Sequence, residues 1–140
     1  MTVRLNPYLN FRDNAREALE FYHSVFGGTL QVSTFKEFQA AQDPSEEDLV
    51  MHGQLEGDHG VLLMASDTPQ RMEYQPGGSF SVSLSGDDEA VLRGWFDRLA
   101  EGGTVTMPLE KATWGDSFGM CVDRFGINWL VNISGPPGQA

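Results

Sequence analysis

The chain repeats itself once, at an offset of 75 residues, and the repeat spans a whole supersecondary unit. Residues 5–29 read LNPYLNFRDNAREALEFYHSVFGGT, and residues 80–104 read FSVSLSGDDEAVLRGWFDRLAEGGT. Asp13 matches Asp88, Ala15 matches Ala90, Phe21 matches Phe96, and Gly27-Gly28-Thr29 matches Gly102-Gly103-Thr104. Each copy is a short strand, an acidic helix start, an amphipathic helix and a Gly-Gly exit into another strand. Two copies at so long a period do not make a solenoid. They predict two βα-containing halves packed about a pseudo-twofold axis.

Length sets the scale. At 140 residues the chain forms one domain, its first half at 1–67 and its second at 78–135. Thr68 to Gly78, with two prolines and a Gly-Gly pair, is the natural connector, and module swapping between subunits would be decided there. The net charge is −11, with only nine Lys and Arg, and phosphate binding needs a basic footprint, so nucleic acid is excluded as a partner. Acidity keeps such a chain soluble and attracts basic ligands. The longest apolar run, Val61 to Ala65, is too short to span a bilayer. The opening MTVRLNPY lacks a basic and apolar leader, and a single cysteine, Cys121, excludes an intrachain disulfide. The expectation is a cytoplasmic protein with no membrane partner.

Periodicity then places the elements. Strand 1 covers about 3–11, and Asp13 or Asn14 caps a helix that buries Ala15, Ala18, Leu19, Tyr22, Val25 and Phe26. Residues 29–35 form a strand, 37–47 a mobile polar loop, and a hairpin turns around Gly57-Asp58. In the second half Phe80, Val82 and Leu84 alternate with serines. A helix over about 88–101 buries Val91, Leu92, Trp95, Phe96 and Leu99. Strands near 104–108, 118–123 and 127–133 follow. Each half reads βα plus about three strands, and helices on one side of mostly antiparallel sheets make the class α+β.

Alternation sorts the faces of each strand. Pro7, Leu9 and Phe11 point to the helix, and Asn6, Tyr8 and Asn10 point away. Phe80, Val82 and Leu84 face the second helix, and Ser81, Ser83 and Ser85 face away. Val50, His52, Gln54 and Glu56 share a face, as do Asn128, Leu130 and Asn132. Two accounts of these polar faces are open: one wall of a ligand trough, or a flat sheet wetted on one side.

The individual candidates also carry two readings each. His52, beside Gln54, is the leading candidate for chemistry, since imidazole binds metal or shuttles protons near neutral pH. The alternative is a hydrogen-bonded lining residue. His23 and His59 read as surface residues without ligand spacing. Tyr8 either orients a ligand or packs. Trp114 and Phe118, in TWGDSFG, form an aromatic wall over a ligand, or cover the sheet end or a dimer interface. Asp67 and Asp123 read as turn formers. Cys121 lies in a strand with no basic neighbour and reads as buried and inert. No phosphate loop and no serine-nucleophile elbow occurs.

NPYLNFRDNAREALEFYHSVFGG, VMHGQLEGDHGVLLMASD and TWGDSFGMCVDRFGINWLVN, taken in order, resemble the PhnB-like branch of the vicinal oxygen chelate superfamily. That superfamily also holds glyoxalase I, bleomycin-binding proteins, fosfomycin-resistance enzymes and extradiol dioxygenases. The resemblance covers residues 4–134 and implies paired βαβββ modules curling into an open barrel-like trough, assembled as a homodimer. Members that do chemistry hold a divalent metal with His, Gln and Glu, and the metal chelates two adjacent substrate oxygens as a Lewis acid. Here the expected first histidine falls on Asn6 (or Pro7), its counterpart on Ser81, and the glutamate on Leu130.

The resemblance therefore implies a small-molecule-binding member whose usual metal ligands are lost and which has no cofactor. Tyr8, Asn10, His52, Gln54, Ser81, Trp114, Phe118 and Asn132 would line its pocket. Two alternatives remain. One is a metal-dependent enzyme with a displaced site on His52 and a carboxylate such as Glu56. The other is a drug-sequestering protein of the bleomycin-binding kind, whose acidity attracts a cation.

Overall fold

The computed structural model describes residues 3–74, 77 and 79–135. The chain divides into two compact units, Met1–Pro76 and Gly77–Ala140. The first holds β1 (Tyr8–Phe11), α1 (Ala15–Phe26), β2 (Thr29–Thr34), β3 (Val50–Glu56) and β4 (Leu62–Asp67). The second holds β5 (Val82–Gly86), α2 (Glu89–Ala100), β6 (Thr104–Lys111), β7 (Ser117–Val122) and β8 (Asn128–Ile133). Two further single 3-10 turns lie at Pro44–Glu46 and Asp58–Gly60.

The repeat in sequence is a repeat in topology. The sheet orders are β1-β4-β3-β2 and β5-β8-β7-β6, so each strand index simply advances by four. In both, the first strand runs parallel to the last, and the other two pairs are antiparallel. Each unit is a βαβββ module, and the α+β class stands.

The Gly-Gly exits have a common cause. Gly27 and Gly102 sit at φ +68° and +76°, positive values that glycine adopts without a Cβ clash at a helix exit. Gly28 and Gly103 follow, and a Cβ on either would fall on a carbonyl oxygen, that of Glu56 or Val122. Glu56 ends β3 and Val122 ends β7, the equivalent strands. The helix exit presses onto the same hairpin in both modules, and only glycine admits that approach.

Each helix covers one face of its own sheet. Ala15, Ala18, Leu19, Tyr22, Val25 and Phe26 are all buried, on the same side as Leu9, Phe11, Leu55, Leu63 and Ala65. In the second unit Leu92, Phe96 and Leu99 meet Cys121, Trp129, Val131 and Ile133. Val91 and Trp95, expected inside, are only half-buried.

Several expectations are corrected. Strand 1 begins at Tyr8 rather than near residue 3, and Phe80 and Ser81 precede β5 instead of lying within it. Phe80, expected against α2, is 66% exposed. Val50 does not share a face with His52. The register shifts from Ser33↔His52 to Thr34↔Val50, so β3 carries an extra residue there, and Val50 turns into the core at 1% exposure. The loop over 37–47 is anchored rather than loose. Glu46 is 4% exposed, and its carboxyl group receives Arg71 Nε at 3.0 Å and the Gln42 backbone N–H at 3.2 Å. The start of the connector is fastened as well, since Arg12 reaches the Pro69 carbonyl at 3.4 Å and lies 5.2 Å from the Tyr74 ring centre. Gln75, Pro76 and Gly78 of the connector lie outside the described residues.

Candidate functional site

The register assembles two sheet faces that no helix of the same unit covers. In the first unit Tyr8 pairs with Met64, Met64 with Gln54, and Gln54 with Gln31, so these four side chains form one row. Alongside it, Asn10 pairs with Ser66 and Ser33 with His52. Tyr8 is 45% exposed, and its ring centre lies 5.9 Å from that of His52 at an interplanar angle of 34°. The structure thus brings Tyr8, Asn10, His52 and Gln54 onto one face. Gln54 is already engaged: its amide donates to Glu56 Oε1 at 3.0 Å.

In the second unit Ser85 pairs with Asn132, Asn132 with Phe118, and Phe118 with Glu110. The neighbouring row is Ser83, Leu130, Met120 and Met107. Trp114 stands in the β6–β7 turn, 53% exposed, with its ring 5.8 Å from Phe118 in an edge-to-face contact. The turn is closed by Ala112 N–H donating to the Asp116 carbonyl at 2.6 Å and Gly115 N–H to the Ala112 carbonyl at 3.1 Å.

Asp116 is the residue that sequence reasoning missed. Its carboxylate accepts from Gly135 N–H at 2.8 Å and from the Asn132 amide at 3.1 Å. The Gly135 bond and then the Asn132 bond hold its pKa below the ordinary value, against an opposing effect of burial, with a lesser contribution from Trp114. Asp116 therefore ties Asn132 and Gly135 to one negative charge in the turn that carries Trp114. The available signal was its place between Trp114 and Phe118 in TWGDSFG. Of the expected residues, the structure joins Trp114, Phe118 and Asn132, while Ser81 stands ahead of β5, outside this cluster.

The other candidates resolve into scaffold. Asp67, 5% exposed, accepts from Ala15 N–H and Val50 N–H, both at 2.9 Å, and so joins the α1 start to the β3 start. Asn14, the expected cap, makes no side-chain capping bond. Asp123 forms its turn through Phe125 and Ile127 N–H at 2.8 and 3.1 Å, and also receives the Trp129 indole at 2.8 Å. His23 Nε2 lies 2.9 Å from the Gly28 carbonyl, and His59 is exposed in a turn at φ +59°. Cys121 is 1% exposed, and burial, aided by the negative Asp123, pushes its thiol up to about 11. It is not a nucleophile at neutral pH.

Two βαβββ modules in tandem, each with a helix-free sheet face, define an α+β class of protein built from repeated halves. The sequence matches the Glyoxalase/Bleomycin resistance protein/Dioxygenase superfamily over residues 4–131, and the chain belongs to that superfamily. A solved structure, protein PA1353 from Pseudomonas aeruginosa, is 39% identical, with TM-score 0.81 over 96% of this chain and 100% of that one. Protein YjdN of Escherichia coli is 26% identical over 92% of this chain and 94% of its own length. A Bacillus cereus structure described as a putative 3-demethylubiquinone-9 3-methyltransferase, PhnB protein, is 24% identical. It has TM-score 0.74 over 94% of this chain and 100% of that one, and it shares the fold.

Among the described residues, no group of three His, Cys, Asp or Glu side chains is placed to hold an ion. Asn6, Ser81 and Leu130 stand at the positions where the resemblance implies ligands. Leucine cannot bind a divalent cation, and asparagine and serine are weak donors. These three side chains do not supply the ligand set that the resemblance implies.

Proposed function

We propose that this protein binds a small molecule on the helix-free sheet faces of its modules, without the metal centre usual in its superfamily. The observation that carries the reading is the content of those faces. Tyr8, Asn10, His52 and Gln54 in one unit, and Trp114, Phe118 and Asn132 in the other, offer aromatic surface and directional amides. Ligand sites combine apolar walls with a few placed polar groups in this way. Ser81 completes the set at the entry to β5. His52, against the Tyr8 ring, is the group best suited to handle a proton. The protein would act as a homodimer in the cytoplasm, and among the described residues no helix is long and apolar enough to cross a membrane.

One observation favours a second reading. His52, Gln54 and Glu56 lie on one face of β3, and a displaced metal centre would use His52 with the Glu56 carboxylate. The Gln54 bond to Glu56 opposes it, since that oxygen would have to change partners.

The test pairs elemental analysis with thermal melts. We expect less than one metal per chain, no melting shift on chelation or metal return, and stabilisation by ligands from a chemically diverse screen. A ligand present at a hundred times its Kd adds about 2.7 kcal/mol. Tyr8→Ala and His52→Ala should shrink that shift. A stoichiometric metal whose stabilisation disappears in His52→Ala would establish the displaced centre instead, and a screen without any hit would remove the binding reading.

A further inference from the structure

The geometry points to the row Asn10–Ser66–His52–Ser33, which crosses every strand of the first unit's sheet, as a subsite for an uncharged polyhydroxylated ligand of the sugar class. This rests on the binding reading above and names the chemistry of its ligand. Three observations converge.

First, the row is continuous. Asn10 stands opposite Ser66 and Ser33 opposite His52, and the pairing of Gly53 with Ala65 brings Ser66 level with His52 one step along. β1, β4, β3 and β2 therefore contribute one polar side chain each, in that order, to the helix-free face. Neighbouring strands lie about 4.8 Å apart, so the row spans about 14 Å. That is the reach of two linked sugar rings rather than of one.

Second, the row is open. Among the described residues, the Asn10, Ser33, His52 and Ser66 side chains have no hydrogen-bond partner. Asn10 is exposed and the other three are half-buried. The buried side-chain polar atom that lacks a partner is Arg12 Nε, outside the row, so these groups stay open to water and to whatever replaces it. The second unit has no equivalent. Its matching row is Ser85, Asn132, Phe118 and Glu110, where Asn132 is bound to Asp116 and Phe118 carries no polar atom.

Third, the chemistry is mixed and uncharged. A serine hydroxyl, an asparagine amide and an uncharged imidazole each donate and accept. Hydroxyl groups on a ligand do the same, so a polyol matches every position of the row. Neither this row nor the adjoining Tyr8–Met64–Gln54–Gln31 holds a carboxylate, lysine or arginine. An ionic ligand group laid on them would lose hydration without meeting a counter-charge, whereas a hydroxyl exchanges one neutral hydrogen bond for another. Glu56, at the end of β3, already accepts from Gln54. Tyr8, 45% exposed and beside the His52 ring, supplies a flat apolar surface for the C–H face of a sugar ring.

Five probes separate these contributions: cellobiose, glucose, glucose 6-phosphate, glucosamine and the planar amide uracil. Each is titrated into the full chain and followed by the Asn10 side-chain amide and His52 imidazole resonances, assigned by their loss in Asn10→Ala and His52→Ala. Cellobiose should bind first, glucose more weakly, and the phosphate and uracil last. Ser66→Ala and Ser33→Ala each remove one hydroxyl and should weaken cellobiose roughly two- to tenfold, as loss of a neutral hydrogen bond does. Tyr8→Ala should weaken both uncharged sugars, and added salt should leave them unchanged.

If glucose 6-phosphate or glucosamine binds more tightly than glucose, the face reads charge and the proposal falls. It falls equally if uracil binds best, since a planar amide would then be the class recognised. If no probe moves either resonance, while ligands from the broad screen still respond to Tyr8→Ala, the sugar class is refuted and the binding reading survives. Should a serine variant lose its fold by circular dichroism, Asn10→Ala, at the exposed end of the row, tests the row in its place. Weaker cellobiose binding in the folded variants supports the subsite, and unchanged binding in them overturns it.

Discussion

The two modules share a topology and differ in how they solve the same local problem. Both must satisfy the free N–H groups at a helix start. The second does so within its own sequence: Asp88 accepts from Val91 N–H at 3.2 Å, three residues on. The first uses Asp67, 52 residues from Ala15, at the end of the strand that pairs with β1. The same carboxyl group also takes Val50 N–H beside the bulge. One module carries a local and replaceable cap, and the other carries a buried tie joining helix, first strand and hairpin. A repeat can therefore keep its strand order while shifting stability from neighbours in sequence to neighbours in space.

The faces diverge in the same manner. Asn10, Ser66, His52 and Ser33 in the first unit answer to Ser85, Asn132, Phe118 and Glu110 in the second. The position of His52 is held by Phe118, and that of Gln54 by Met120. One face presents hydrogen-bonding groups and an imidazole ring, and the other presents an aromatic and thioether surface with the carboxylates of Glu110 and Asp116.

The largest expected effect tests the two aspartates. Asp67→Ala strands two buried N–H groups and should cost about 2–5 kcal/mol. Asp88→Ala loses an exposed cap and should cost about 1 kcal/mol. Urea unfolding of both variants gives the ratio. Equal losses would mean that the distant tie contributes no more than the local cap, and the contrast between modules would fail.

Much of the architecture was legible in the sequence. The 75-residue offset carried the order of elements, the Gly-Gly pairs marked where helices meet hairpins, and alternation put Tyr8 and Asn10 on one face and Leu9 and Phe11 on the other. What escaped has a shared physical reason. The bulge at β3 leaves no trace in VMHGQ, because valine, methionine and histidine all fit either face of a strand, and only the cross-strand register reveals the extra residue. Asp67 looked like a turn former since its partners lie 52 and 17 residues away. Asp116 was hidden likewise, since Asn132 and Gly135 stand 16 and 19 residues further along. Local pattern exposes periodicity; it does not expose a polar side chain whose work is done at a distance.

A smaller effect separates the cores. Cys121 of β7 pairs with Trp129, where the first unit has Leu55 against Leu63. With its thiol pushed up to about 11, the folded state favours the protonated form. That stabilisation is complete below the ordinary value of 9.0 and is lost as pH climbs from there toward about 11. Cys121→Val should flatten the alkaline fall in melting temperature. Native protein should also resist iodoacetamide at pH 8, while urea-unfolded protein reacts readily. Fast native labelling would show that the second core opens more easily than its burial implies.

The smallest expected change comes from Asp116, at the opposite end of the pH scale. Its folded pKa lies below the unfolded one, held there mainly by Gly135 and then by Asn132 and Trp114. A depressed carboxylate stabilises the fold above its unfolded pKa, and that contribution drains away as pH falls through the lower folded value. Asp116→Asn should therefore lower the melting temperature slightly at neutral pH, and its difference from the parent protein should close as the pH falls through the acid limb. The Trp114 indole resonance in the parent protein should move at a pH below the ordinary carboxylate range. Motion within that ordinary range would mean that Gly135 and Asn132 do not hold the charge, and the second module's face would then lack the fixed anion that distinguishes it from the first.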